Sequence, residues 1–383
     1  MPSAIRTSTR VWRWYATSSM TVTHASTTPM AHRLRITRWS DLAALLDPVG
    51  HCADPLTEGR ALDWEGIYGL AAARLVAPTL YAVLAARERL DAVPTPVRAA
   101  LAELHRLNDA RNARLRAVLR DTVRYLNAAG IEPLLLKGSI ALLPDQYPQA
   151  AARMMSDLDL ALVNAPAEHG EAVLRAGGYF DAPNVDPADY AAFHHVAPLF
   201  HPSGDGYVEL HRGMLPASVP AQALPLARVC GAAQPLDWDG LRLWVPSLEH
   251  RLLHNALHHQ VADGGLRAGH RALRQLLEFA QLRALPGAAG IAWPGLLAAL
   301  DRVGHGVAVR AYLLAVQRLF GQPLPAGVRP GVRAHWSQCL AWLRIALPRL
   351  APQFDLVGRL HNLPQRLITP SWYPQKIRSL CQR

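Results

Sequence analysis

The four cysteines, Cys52, Cys230, Cys339 and Cys381, stand far apart and form no CxxC pair. That spacing offers neither a zinc site nor a disulfide framework, so a reducing cytoplasm is the expected compartment. Long apolar runs are missing too. The best, Leu75 to Ala86, is flanked by Arg74 and Arg87 and is too short to span a bilayer, so it reads as a core helix. No acidic residue precedes Asp41, whereas Arg, Ser and Thr are plentiful there. The composition of residues 1–39 fits an organellar transit segment or a non-native extension ahead of Met20 or Met30, and lacks the apolar centre of a secretory signal. These residues are expected to be disordered and outside the fold. Charged residues are 18% of the chain against 50% hydrophobic, which excludes wholesale disorder and supplies core for two or three folding units. The charge that is present leans positive, at +11 with a pI near 10.0. This favours anionic partners, nucleotides or nucleic acid among them, although the scattered basic residues also describe a simple solvated surface.

The chemistry is concentrated in Leu134 to Val163. Apolar Leu134, Leu135 and Leu136 run into Lys137, Gly138 and Ser139, and an apolar pattern resumes at Ile140. This predicts a buried strand, a tight glycine turn and the start of a helix. Glycine allows close backbone approach and the N–H groups of a helix start favour an anion, so phosphate is the natural guest. Further on, Ser156 to Leu162 alternates as a strand, which places Asp157 and Asp159 on one face. Two adjacent carboxylates repel unless a cation lies between them, and Mg²⁺ or Mn²⁺ suits hard oxygen ligands beside a phosphate.

Around that stretch the pattern predicts an α+β protein in which a small mixed sheet is flanked by helical regions. Residues 40–129 read as helices, with Leu42, Leu45 and Leu46, then Leu101, Leu104, Leu107, Leu115, Val118, Leu119, Val123 and Leu126 on apolar stripes and Gly130 as a cap. The core spans 130–215: a helix at Ala167 to Gly177, then strands at His195 to Phe200 and Gly206 to His211, the last placing Glu209 and His211 on one face. If this strand neighbours Asp157 and Asp159, Glu209 is a third carboxylate at the same place. Residues 216–246 form a connector with a strand at Leu241 to Val245. A helical region over 247–370 opens on Ser247 as N-cap, and 371–383 is a basic tail. His250, His254 and His258 share a helix face, read as lining the cleft or as a packed row; zinc would need a further ligand that the sequence does not locate. Trp336 and Trp342 are expected in the core.

Taken together, Leu136-Lys137-Gly138, Tyr147-Pro148, Arg153, Ser156-Asp157-Leu158-Asp159 and Val208-Glu209-Leu210-His211 resemble a bacterial family of uncharacterised nucleotidyltransferases within the DNA polymerase beta-like superfamily. The resemblance covers roughly residues 60 to 285 in order. It implies that Gly138 and Ser139 hold nucleotide phosphates, that Lys137 and Arg153 are candidates to contact them, and that Asp157, Asp159 and Glu209 bind Mg²⁺ or Mn²⁺. Arg153 is located by its spacing alone, because Ala150, Ala151 and Ala152 precede it, and Lys137 could instead pair with an acid. The implied reaction is two-metal transfer of a nucleoside monophosphate from an NTP such as ATP to a small molecule, a peptide or protein, or less favourably RNA. A variant would transfer a sugar from a nucleotide-sugar to a peptide. A non-catalytic nucleotide- or RNA-binding module is the rival reading, and three converging acids, which repel phosphate without metal, argue against it.

Overall fold

The computed structural model describes residues 29–361, apart from 145, 148–149, 182–184 and 218. The expectations for residues 1–28, for Pro148 and for the basic tail fall outside these. Helix α1 (Pro29–Leu46) begins inside the stretch expected to be an extension. Its apolar spacing explains this, because Trp39 is buried and joins Leu42 and Leu46 on one face, carrying the stripe a turn further back. Then come α2 (Trp64–Ala73), α3 (Ala77–Ala86) and α4 (Thr95–Ala128). Pro94 and Pro96 stand at the start of α4, where a missing N–H costs nothing. The buried stripe of α4 follows the expected leucines and valines except Leu107, which is exposed, while Asn108 and Asn112 are buried in its middle.

Gly130, at φ +73°, turns the chain from α4 into the sheet. Seven strands follow: β1 (Pro133–Leu135), β2 (Asp157–Leu162), β3 (Phe180–Asp181), β4 (Leu199–Phe200), β5 (Tyr207–His211), β6 (Gln234–Trp238) and β7 (Leu241–Val245). Their order is β3-β4-β5-β2-β1-β7-β6, with β2/β5 and β1/β7 parallel and the other pairs antiparallel. The sheet therefore continues through β6 and β7, within the stretch read as a connector. Helix α5 (Ala167–Ala176) crosses over between β2 and β3.

The two faces of the sheet differ in chemistry. Leu158, Leu160, Leu162, Val208 and Leu210 pack with Leu115, Leu119 and Val123 of α4 and Leu174 of α5. The alternate residues of β2 and β5, Asp157, Asp159, Glu209 and His211, point the other way. On that side lie α7 (Leu248–Leu257) and α9 (Leu273–Arg283), after the short α6 (Leu226–Gly231) and with the short α8 (Gly265–Ala268) between them. The chain goes on through α10 (Trp293–Arg302), α11 (Gly306–Phe320), α12 (Gly331–Ala346) and α13 (Ala351–His361). Leu42 and Leu80 of the first helices share one apolar cluster with Leu253, Phe279, Tyr312 and Phe320, so the helical segments on either side of the sheet in sequence form a common core. Trp336, expected in that core, is 70% exposed. Helix α12 buries its small and polar face, Ala334, Ser337, Gln338 and Ala341, and turns its larger residues outward. Trp342 instead lies against Arg271, whose guanidinium is 4.5 Å from the ring centre.

Helix α7 continues into a π-helical turn, His258–Ala262, which re-aims the residues after His258. There His259 is buried, accepts the Ala272 N–H through Nε2 at 3.2 Å and meets the Tyr312 ring edge-on. Burial lowers His259 to about 4, and accepting a hydrogen bond through Nε2 also requires that nitrogen to be unprotonated. The ordinary value, 6.5, applies in the unfolded chain. The stability His259 contributes is thus complete above about pH 6.5 and is lost as the pH falls toward 4. We expect the melting temperature to drop through this window, and a His259→Gln variant to show a shallower drop in the same scan. An identical pH profile for the variant would remove His259 as a cause.

Candidate active site

The β2–β5 register sets Asp159 directly beside Glu209 and Asp157 beside Tyr207. The N–H of Asp159 donates to the Ser139 hydroxyl at 2.8 Å, and its C=O accepts from the Leu136 N–H at 3.0 Å. The turn after β1 and the acidic strand are therefore tied together residue by residue. Asp159 Oδ1 receives both the Lys137 ammonium and His211 Nε2, each at 2.8 Å. Oδ2 has no hydrogen bond among the described residues. Burial acts to raise the Asp159 carboxyl, but Lys137 and His211 overcome it and hold it well below the usual carboxylate range. An ionised carboxylate only accepts, so His211 carries its proton on Nε2.

Lys137 occupies the left-handed region at φ +45°, a costly backbone for a residue with a side chain. That turn brings its ammonium over the acids. Burial would depress Lys137, yet Asp159, then Glu209 and Asp157, raise it above its ordinary value. One cation does not satisfy three acids. Glu209 is pushed up to about 8 by burial and then by Asp159 and Asp157, with Lys137 opposing. Ligand atoms of Asp159, Glu209 and His211 lie within 4.8 Å of one another. Asp157 opens on the same cleft one pleat away and bonds to the Ser156 hydroxyl at 3.1 Å. The carboxylates of Asp159, Glu209 and Asp157 fit a divalent cation, with His211, its Nε2 proton given to Asp159, as support and not as ligand.

The glycine turn plays a different part from the phosphate cradle expected of it. Ser139 is fully buried, its N–H donates to Leu136 O, its hydroxyl serves Asp159, and it does not line the cleft. Its work is to hold β2 in register. Gly138 does line the cleft, and the Arg153 guanidinium lies where a Cβ would stand. Arg153 is buried and paired with Glu278 of α9 at 3.0 Å. The loop before β2 is pinned by side chains from the helices. Asn108 and Asn112 of α4 donate to Arg153 O at 3.0 and 2.8 Å, Thr79 of α3 donates to Ala152 O at 2.7 Å, and Arg274 of α9 donates to Met154 O.

Facing the acids across a cavity of about 160 Å³ are His250, His254, Arg251, Arg274 and Glu278. The histidine row thus lines the cleft. His254 is held well below its ordinary value by burial, then by Lys137 and His258, and so stays neutral. Sequence reasoning missed Arg251, Arg274 and Glu278 as site residues. The available signal was a conspicuous Arg274–Glu278 pair at i, i+4, but such a pair reads as a surface salt bridge until the sheet is seen beneath it.

The family model described as uncharacterised nucleotidyltransferase matches residues 60–321. No curated protein and no solved structure matches the chain. The matched span takes in β1 to β7, the acidic strands and both helices, α7 and α9, that face them.

Two substitutions test how the turn is built. Ser139→Ala leaves the buried Asp159 N–H without its acceptor and is expected to cost about 1–3 kcal/mol in urea unfolding. Gly138→Ala drives a methyl into Arg153 and breaks its pairing with Glu278, with an expected loss of about 1–3 kcal/mol. Wild-type stability in both would contradict the geometry described.

Proposed function

The chain belongs to the uncharacterised nucleotidyltransferase family, and from that premise we propose that it transfers a nucleoside monophosphate from an NTP to a hydroxyl or phosphate of an acceptor. The observation that carries this reading is the pairing of Asp159 with Glu209 across parallel strands, beside Asp157, with the Lys137 ammonium on Asp159 Oδ1. Asp157, Asp159 and Glu209 would hold Mg²⁺. Bound there, the metal supplies charge neutralisation to the leaving pyrophosphate and lowers the pKa of the attacking hydroxyl.

The protein's own residues supply position and charge. His211 and Ser139 fix the carboxylate and backbone of Asp159, so Oδ2 is presented without rotation. Lys137, on Oδ1, limits repulsion between the acids and the incoming phosphates. Gly138, without a side chain, lets the Arg153 guanidinium pack over the turn at the cleft wall. Substrates in this class are anionic, in keeping with the net charge of +11. A small molecule or a peptide is the acceptor class we favour over RNA, because the basic residues form no continuous tract. Among the described residues no helix is long and apolar enough to cross a membrane. The cytoplasm is the compartment we propose on the spacing of the cysteines.

The test compares wild-type and Asp159→Asn for Mg²⁺-dependent binding of ATP by calorimetry and for pyrophosphate release with candidate acceptors. The expected result is release lowered by a factor of about 100 or more, with Mg²⁺ no longer strengthening ATP binding. Equal Mg²⁺ dependence in the two proteins, with no turnover in either, would overturn the proposal.

A further inference from the structure

We infer that Arg251 of α7 and Arg274 of α9 form a polyphosphate subsite on the helical wall of the cleft, where they receive the terminal phosphates of the nucleotide and then the released pyrophosphate. The inference rests on the nucleotidyl-transfer reading for the identity of the donor. Its own support is separate and comes from charge.

The groups expected to meet phosphate are largely engaged within the protein. Ser139 is buried under β2, Lys137 lies on Asp159 and Arg153 is paired with Glu278. Arg251 and Arg274 are different. Both line the cleft, both are only partly exposed, and neither forms an ion pair among the described residues. Arg251 reaches Gln146 Oε1 at 3.4 Å, and Arg274 donates one Nη1 bond to Met154 O. Burial lowers both guanidiniums below their ordinary value, with Arg153 adding to the effect and Glu278 opposing it. Arg251 and Arg274 thus share the field of Glu278 with Arg153, to which it is paired, and Arg274 also feels Asp157 across the cleft; neither has an ion pair of its own among the described residues.

Partly desolvated cations without counter-ions are costly, and a guanidinium meets phosphate oxygens through two parallel N–H bonds. The opposite wall holds Asp157 and Asp159. A ligand that suits both walls carries its reacting phosphorus at the acidic wall and further negative charge at the arginine wall. A nucleoside triphosphate meets that description, since its terminal phosphates extend away from the phosphorus attacked. Orthophosphate alone lacks the second charged group and should bind more weakly.

The probe is inorganic pyrophosphate, titrated calorimetrically into the full chain in the presence of EDTA, with orthophosphate as comparison. The expected result is that pyrophosphate binds more tightly than orthophosphate, that Arg251→Gln weakens it about tenfold or more, and that Arg251→Lys loses less. Arg274→Gln should act in the same direction, although its bond to Met154 O also supports the loop. Arg251→Gln, which gives up the long contact to Gln146 and the attraction to Glu278 but no ion pair or backbone bond, therefore decides the matter if the Arg274 variant unfolds. Unchanged pyrophosphate affinity in Arg251→Gln would overturn the subsite. Arginine-dependent binding without any nucleotidyl transfer would sink the enzyme reading and leave the anion subsite standing.

Discussion

The convergence on Asp159 is the constraint from which the rest of the structure follows. A carboxylate buried in a sheet is tolerable only if its charge is met. Lys137 and His211 meet it on one oxygen, and Ser139 satisfies the adjoining backbone. Each demand propagates. Lys137 must adopt a left-handed backbone to reach Asp159, so the turn must be tight. The turn must pass beneath Arg153, so it needs Gly138. Arg153 must have a partner in the interior, so α9 must present Glu278 at that point. The acidic strand is expensive, and the surrounding residues make it possible.

The helices contribute more than enclosure. Asn108 and Asn112 interrupt an apolar stripe on α4, a sacrifice of core that makes sense once their amides are seen holding the loop carbonyls before β2. Thr79 does the same from α3. Because the first and last helices share one apolar cluster, these props are braced against the wall that carries Arg251 and Arg274. The sheet side of the site faces a wall tied to it by the Arg153–Glu278 pair, by the bond from Arg274 to Met154 O and by shared apolar packing.

Much of this was legible in the residues. Alternation in Ser156 to Leu162 and in Tyr207 to His211 gave the faces of β2 and β5, and the parallel register places Glu209 beside Asp159 as anticipated. Ser247 caps α7 as its position suggested, accepting the His250 N–H. What could not be read depended on partners distant in the chain. Nothing local to Ser139 distinguishes a hydroxyl facing phosphate from one accepting a strand N–H 20 residues away. Arg251 and Arg274 look like surface cations on amphipathic helices until the opposing strand is known. Trp336 failed for the opposite reason: its size suggests burial, but α12 lies at the margin of the helical core and packs through alanines.

The tie between Arg153 and Glu278 also bears on how the molecule comes into being. Synthesis delivers β5 well before α9, some 60 residues later, an interval on the order of several seconds at ordinary translation speed. During that interval the nascent chain holds an acidic face with no lid and an arginine with no counter-charge. A chain that stops ahead of Glu278 would keep Asp157, Asp159 and Glu209 and the helix of His250 and Arg251, yet leave Arg153 without its carboxylate and the cleft without its second wall.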